Sequence, residues 1–213
     1  MYIQVKNASK KIKGATILQN INLDLHGGII YGLQGPNGSG KTMLMRLIAG
    51  LIRPTSGSVV VDGKQLGKDI DFPPSMGLLI ENPAFLPNYT GFKNLELIAD
   101  IQRRIGKEEI ARSLADVGLD PEDKRKYRKY SLGMKQRLGI AAAIMEKPDL
   151  ILLDEPTNSL DEAGTAQICR LIQAERDHGA LIVLASHDPN LLESIADEIY
   201  TIHEGTLQRR LHK

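Results

Sequence analysis

The sequence predicts an α/β chain with a mostly parallel sheet, an N-terminal antiparallel β part and an inserted helical lobe. Three observations predict it. Apolar and polar residues alternate through much of the first 35 residues, as in strands with one buried face. Further along, short apolar runs alternate with stretches of helical period, the pattern of strand–helix–strand units whose ligands gather at the carboxyl edge of the sheet. Between these parts, from Asn82 to about Tyr130, prolines and amphipathic patterns occur without a strong strand.

The elements follow in order. Met1 to Lys6 alternates like a strand, and Ile17, Ile21, Leu23 and Leu25 lie mostly at even spacing before His26-Gly27-Gly28 turns the chain. The short apolar run from Ile29 to Leu33 ends in a glycine-rich loop. Helical spacing of Leu44, Leu47, Ile48 and Leu51 predicts a helix from Met43 to Leu51, closed by Arg53-Pro54. Gly57 to Val61 reads as a strand turned by Asp62-Gly63. In the middle region Asn94–Ile101 and Glu108–Val117 are amphipathic. A helix from Gly133 to Met145, a strand from Leu150 to Leu153, a helix from Glu162 to Arg176, a strand from Leu181 to Ala185 and a short helix from Asn190 come next. A hairpin of Glu198–His203 and Thr206–Gln208, turning at Glu204-Gly205, completes the series. We read a single domain over 1–213, with 1–81 and 137–213 as the α/β core and about 82–136 as the helical lobe.

Composition narrows the function classes. The 213 residues are 42% hydrophobic and 25% charged, with a formal net charge of +1, so no general attraction to nucleic acid or anionic membrane is implied. The single cysteine, Cys169, has no partner for an internal disulfide and reads as a small apolar filler on a helix. No stretch reaches the ~18 apolar residues of a membrane span, and the N-terminus has no signal-like apolar segment.

Gly35-Pro36-Asn37-Gly38-Ser39-Gly40-Lys41-Thr42 fits GxxxxGK[ST] between an apolar strand and a helix, the context this phosphate loop requires. Its glycines let backbone N–H groups turn inward around an anion at a helix N-terminus. Lys41 adds a positive charge for the β- and γ-phosphates, and the Thr42 hydroxyl is a Mg²⁺ ligand in such loops. The core is therefore of the P-loop NTPase type. Leu150 to Leu153 ends in Asp154-Glu155, two carboxylates that the topology should bring beside the phosphate loop. Asp154 is the candidate for the Mg²⁺ shell, and Glu155 for the general base or water-positioning group.

Three further segments carry a resemblance. Tyr130-Ser131-Leu132-Gly133-Met134 before a helix, Ser159-Leu160-Asp161 after the acidic pair, and Ser186-His187-Asp188 after the strand at Leu181 are similar to the signature, D-loop and switch histidine of the ABC ATPase family. Order and spacing agree over nearly the whole chain. The resemblance implies an ATPase with ATP and Mg²⁺ as cofactors, in which Lys41, Glu155 and His187 are catalytic. Ser131, Leu132, Gly133 and Met134 would form a second anion site over ATP held by an opposite cassette, in a homodimer or heterodimer. The lobe would end in this signature and grip a transmembrane permease subunit near Glu81–Tyr89. Localisation would be cytoplasmic, peripheral on the cytoplasmic face of the cell membrane.

The sequence departs from the family at three places. Glu81 stands where a glutamine usually reaches Mg²⁺ and the attacking water; a carboxylate also ligates Mg²⁺, but accepts hydrogen bonds only and adds negative charge. In this it resembles the bacitracin-resistance and lantibiotic-immunity exporters, which favours export of peptide or amphipathic compounds. Leu132 replaces a glycine of the signature. Ile12 stands where an aromatic residue often stacks on adenine, implying weak discrimination between triphosphates.

Lys124-Arg125-Lys126-Tyr127-Arg128-Lys129-Tyr130 alternates cations with rings that could stack on bases, but the run is short and reads first as a solvated loop, so nucleic acid is not expected as a partner. The alternative is a soluble ATPase of the same family acting on nucleic acid or ribosomes. Such proteins usually carry a long coiled coil or two cassettes, and this chain has neither.

Overall fold

The computed structural model describes residues 1–81 and 83–210. Asn82, where the sequence places the start of the helical lobe, and His212 lie outside the described residues. Strands β1 (Tyr2–Ile12), β2 (Ala15–His26), β4 (Ser56–Val61) and β5 (Lys64–Gln65) form an antiparallel sheet in the order β2-β1-β4-β5. Its register, with Ile3 opposite Leu25 and Val5 opposite Leu23, puts the alternating apolar residues on one buried face. Asp62 and Gly63 both take positive φ (46° and 81°), the two-residue turn that matches the twist of the strands it joins.

The second sheet runs β10-β9-β3-β8-β7-β6, from β3 (Ile30–Gln34), β6 (Met76–Leu79), β7 (Leu150–Asp154), β8 (Leu181–Ser186), β9 (Glu198–His203) and β10 (Thr206–Arg210). All its pairs are parallel except β9 with β10. Both faces of β7 are covered. Leu150 and Leu152 pack with α1 (Lys41–Ile48) and the antiparallel sheet, while Ile151 and Leu153 pack with the helices opposite. That is why the run is apolar at every position rather than at alternate ones.

The opposite layer contains α2 (Gly91–Gln102), α3 (Lys107–Asp116), α4 (Leu132–Ile144) and α5 (Glu162–Asp177), with α6 (Pro189–Ile195) and a 3₁₀ turn at Tyr127–Lys129. Thr90, Ser131, Asp161 and Asp188 cap α2, α4, α5 and α6 through their side-chain oxygens. Leu95, Ala99, Ile110 and Leu114 join Leu138 and Ile151 in one core, so the helices between β6 and α4 pack into the same apolar cluster as the sheet.

Helix α1 and strand β6 are among the elements that differ from the pattern reading. Helix α1 ends at Ile48, because Gly50 at φ 76° turns the chain and leaves Leu51 exposed. Strand β6 escapes the sequence because it is four residues long, contains Gly77, and lies at the edge of the sheet with Leu78 partly exposed. Gly77 is required by packing: a Cβ there would overlap the carbonyl of Ala143 on α4.

The parallel register fixes the site. Gln34 pairs with Ser186 and Asp154 with Ala185, so the carboxyl ends of β3, β7 and β8 deliver the phosphate loop, the acidic pair and Ser186-His187 to one edge.

Candidate nucleotide site

Helix α1 begins at Gly40, whose φ of 114° is open to glycine, and its first turn receives no side-chain cap. Its leading N–H groups face an open cleft of about 360 Å³ lined by Asn37, Gly38, Gly40, Lys41, Thr42, Asp154 and Glu155, with Ile17 and Met43 as apolar walls. Lys41 is buried, and its ammonium donates to two neutral carbonyls, Gly35 O at 2.6 Å and Pro36 O at 3.2 Å. The Ser39 hydroxyl is buried with no hydrogen-bond partner among the described residues. A buried cation bonded only to carbonyls, an orphaned hydroxyl and an uncapped helix start together fit a phosphate chain.

The acidic pair stands across this cleft. Thr42 Oγ1 donates to Asp154 Oδ2 at 2.6 Å, placing two hard oxygen donors where a Mg²⁺ ion could be held with phosphate oxygens and water. Burial pushes the Asp154 carboxyl above its ordinary range; the Thr42 hydrogen bond and Lys41 oppose the shift, and Glu155 and Glu81 add to it. A divalent cation would relieve this strain. The donor set fits the ion.

Glu155 is held from several sides. Its backbone takes a positive φ of 50°, its N–H donates to Ala185 O at 2.9 Å, and its carbonyl accepts from Gln136 Nε2 at 3.0 Å. Its carboxylate accepts from the His187 N–H at 2.9 Å, and His187 Nδ1 stands 2.9 Å from the other oxygen. Such a carboxylate is aimed at the cleft and can take a proton from water there. His187 also lines a second cleft with Gly35, Pro36 and Thr201.

The remaining candidates lie apart from this cleft. Glu81, at φ 62°, is bonded by Arg46 Nη2 at 2.6 Å. Ser131 caps α4 by accepting from Met134 N–H at 3.2 Å, and Leu132 is 62% exposed beside it. Ser131, Leu132, Gly133 and Met134 line neither cleft beside the phosphate loop. A Cβ on Gly133 would sit 2.8 Å from Ser159 O, so the structure does bring the signature-like segment against Ser159-Leu160-Asp161. Asp161 caps α5 by accepting from Gly164 N–H, and Arg137 Nη2 lies 3.9 Å from its carboxylate. Ile12 is exposed at the end of β1, and Ile17 lines the cleft instead.

Sequence reasoning missed Gln136, Arg46 and Ile17. The only local signal was the polar Lys135-Gln136-Arg137 run on an otherwise apolar helix. The basic run also resolves differently from a stacking surface: Tyr127 and Tyr130 are buried, with Tyr127 Oη donating to Pro83 O at 2.6 Å and Tyr130 Oη accepting from Gly91 N–H. Neither ring is available to a base.

The family described as ABC transporter matches residues 18–158. An uncharacterized ABC transporter ATP-binding protein of Bacillus subtilis, YybJ, is 48% identical, covering 97% of this chain and 94% of the relative. The bacitracin transport ATP-binding protein BcrA of Enterococcus faecalis is 41% identical over 96% of this chain and 67% of the relative. Among solved structures, the dimeric MJ0796, a bacterial ABC transporter cassette, superimposes with a TM-score of 0.88 at 25% identity, covering 99% of this chain and all of that one.

Proposed function

The chain belongs to the ABC transporter ATP-binding family, and from that premise we propose that it is the ATPase of an exporter whose membrane path is a separate permease. It binds ATP at the phosphate loop and hydrolyses it. The observation that carries this reading is the meeting of Lys41, Thr42, Asp154 and Glu155 around one cleft, with Thr42 and Asp154 oxygens 2.6 Å apart.

The residue roles follow from their chemistry. Gly35, Pro36, Asn37, Gly38, Ser39, Gly40, Lys41 and Thr42 wrap the phosphates, with Lys41 compensating their charge. Thr42 and Asp154 would hold Mg²⁺, with Glu81 as a further candidate ligand. A Mg²⁺ ion bound there would supply counter-charge to the phosphates. Glu155 accepts the proton of the attacking water, and His187, bonded to it, orients that carboxylate and reaches the γ-phosphate. Ser131, Leu132, Gly133 and Met134 complete the site of a second cassette, with Ser159, Leu160 and Asp161 at the seam between the two. Residues 1–81 and 137–213 act as the core and about 82–136 as the lobe that meets the permease.

Among the described residues no helix is long and apolar enough to cross a membrane. We place the chain at the cytoplasmic face, exporting a peptide or amphipathic compound, as the names of relatives such as the bacitracin transport protein suggest. The test is purification of the tagged chain from its native cells after mild detergent extraction. A stoichiometric hydrophobic protein, with Mg²⁺-dependent ATP hydrolysis, supports the proposal. Ribosomes or nucleic acid with no membrane protein would overturn the transport half of it.

A further inference from the structure

The phosphate-loop helix carries a cation that the site chemistry above does not use. Arg46 lies four residues beyond Thr42 on α1, hence on the same helix face, about 6 Å along the axis. Its guanidinium bonds Glu81 Oε1 at 2.6 Å, and Arg46 is the less exposed of the two, 33% against 62% for Glu81. Glu81 follows β6 at a φ of 62°, a left-handed conformation that an L-residue adopts at some cost unless something holds it there. One carboxylate is thus held by a guanidinium one helical turn beyond Thr42, the residue whose hydroxyl pairs with the Asp154 carboxylate.

We propose that Arg46 is a positioning residue that holds Glu81 away from the metal position and competes with Mg²⁺ for it. A carboxylate cannot give its best geometry to both cations at once, so cation binding and the Arg46–Glu81 pair oppose each other. The pairing depends on the glutamate: a glutamine at 81 could still accept a hydrogen bond from Arg46 but could not form the ion pair. A Glu81 carboxylate drawn to the ion would leave the end of β6 without this side-chain tie to α1.

This rests on the proposed Mg²⁺–nucleotide site, and the experiment separates the two. Affinity of the full chain for a non-hydrolysable ATP analogue is measured by calorimetry across a Mg²⁺ titration. Arg46→Met should move the Mg²⁺ midpoint about two- to fivefold lower, the scale of a partly exposed ion pair. Arg46→Lys should return it towards the parent value. In a Glu81→Gln background Arg46→Met should produce no further shift. An unchanged midpoint in Arg46→Met, or the same shift with and without Glu81, overturns the inference while leaving the nucleotide site standing. Parent protein that binds the analogue equally in Mg²⁺ and EDTA would instead refute the metal site, and the inference with it.

Discussion

Helices α1 and α4 each have a glycine at the N-terminus, Gly40 and Gly133, yet their N-termini are finished in opposite ways. The start of α1 has no side-chain cap and faces Lys41, Thr42, Asp154 and Glu155 from its own chain. The start of α4 is capped by its own Ser131, presents an exposed Leu132, and has no acidic residue in its first turn. The first gathers an uncapped helix start, a buried ammonium and an unpartnered hydroxyl on one chain, groups that suit an anion. On the proposed function the second would be a half-site for the nucleotide of another cassette, tightened by its cap and backed by Ser159.

The comparison breaks most visibly at the chemical step. Glu155→Gln should slow hydrolysis by about 10²–10⁴-fold while nucleotide affinity persists and the nucleotide-bound pair becomes longer-lived. Turnover close to the parent, in a phosphate-release assay, would move the base elsewhere. Lys41→Met tests whether the α1 end binds by itself: affinity for the analogue should fall about 10- to 100-fold, the worth of a charge-assisted hydrogen bond to phosphate. Ser131→Ala sharpens the other half. Loss of the cap should lower thermal stability by about 1 kcal/mol, and should weaken nucleotide-dependent pairing seen by light scattering without changing the affinity of the single chain.

The smallest effect concerns Asp154 in the absence of nucleotide. Burial raises its pKa in the folded state above the unfolded value, so protonated Asp154 is the form the fold favours. Its contribution to stability is present below the unfolded pKa and is lost as pH rises through the folded one. Asp154→Asn should therefore stabilise the nucleotide-free chain at neutral pH relative to the parent, with the difference shrinking in acid. Melting curves at several pH values in EDTA read this directly, and a stability gain that did not vary with pH would assign it to packing instead.

How much of this was legible depended on whether the information was contiguous. The phosphate loop and Asp154-Glu155 each specify their chemistry within a few residues, and the apolar runs of β3, β7 and β8 already implied a buried parallel sheet that would join them. Gln136, which bonds the Glu155 carbonyl, and Arg46, which bonds Glu81, act across 19 and 35 positions, and no periodicity announces such a pair. Strand β6 was hidden for a local reason, since a glycine and a half-exposed leucine in four residues look like a loop. The tyrosines of the basic run were ambiguous because alternation says nothing about which way a ring turns; the core took both.

The missing side chain at Gly77 has a mechanical consequence. It lets β6 and α4 touch backbone to backbone at Ala143, and that contact serves as a fulcrum near one end of a stiff rod. Gly133 lies ten residues away along the helix, about 15 Å of lever arm, so a tilt of roughly ten degrees carries it some 2.6 Å, roughly a hydrogen-bond length. A larger residue at 77 would lift the rod from its bearing, and the far end would lose its aim before the fold lost its shape.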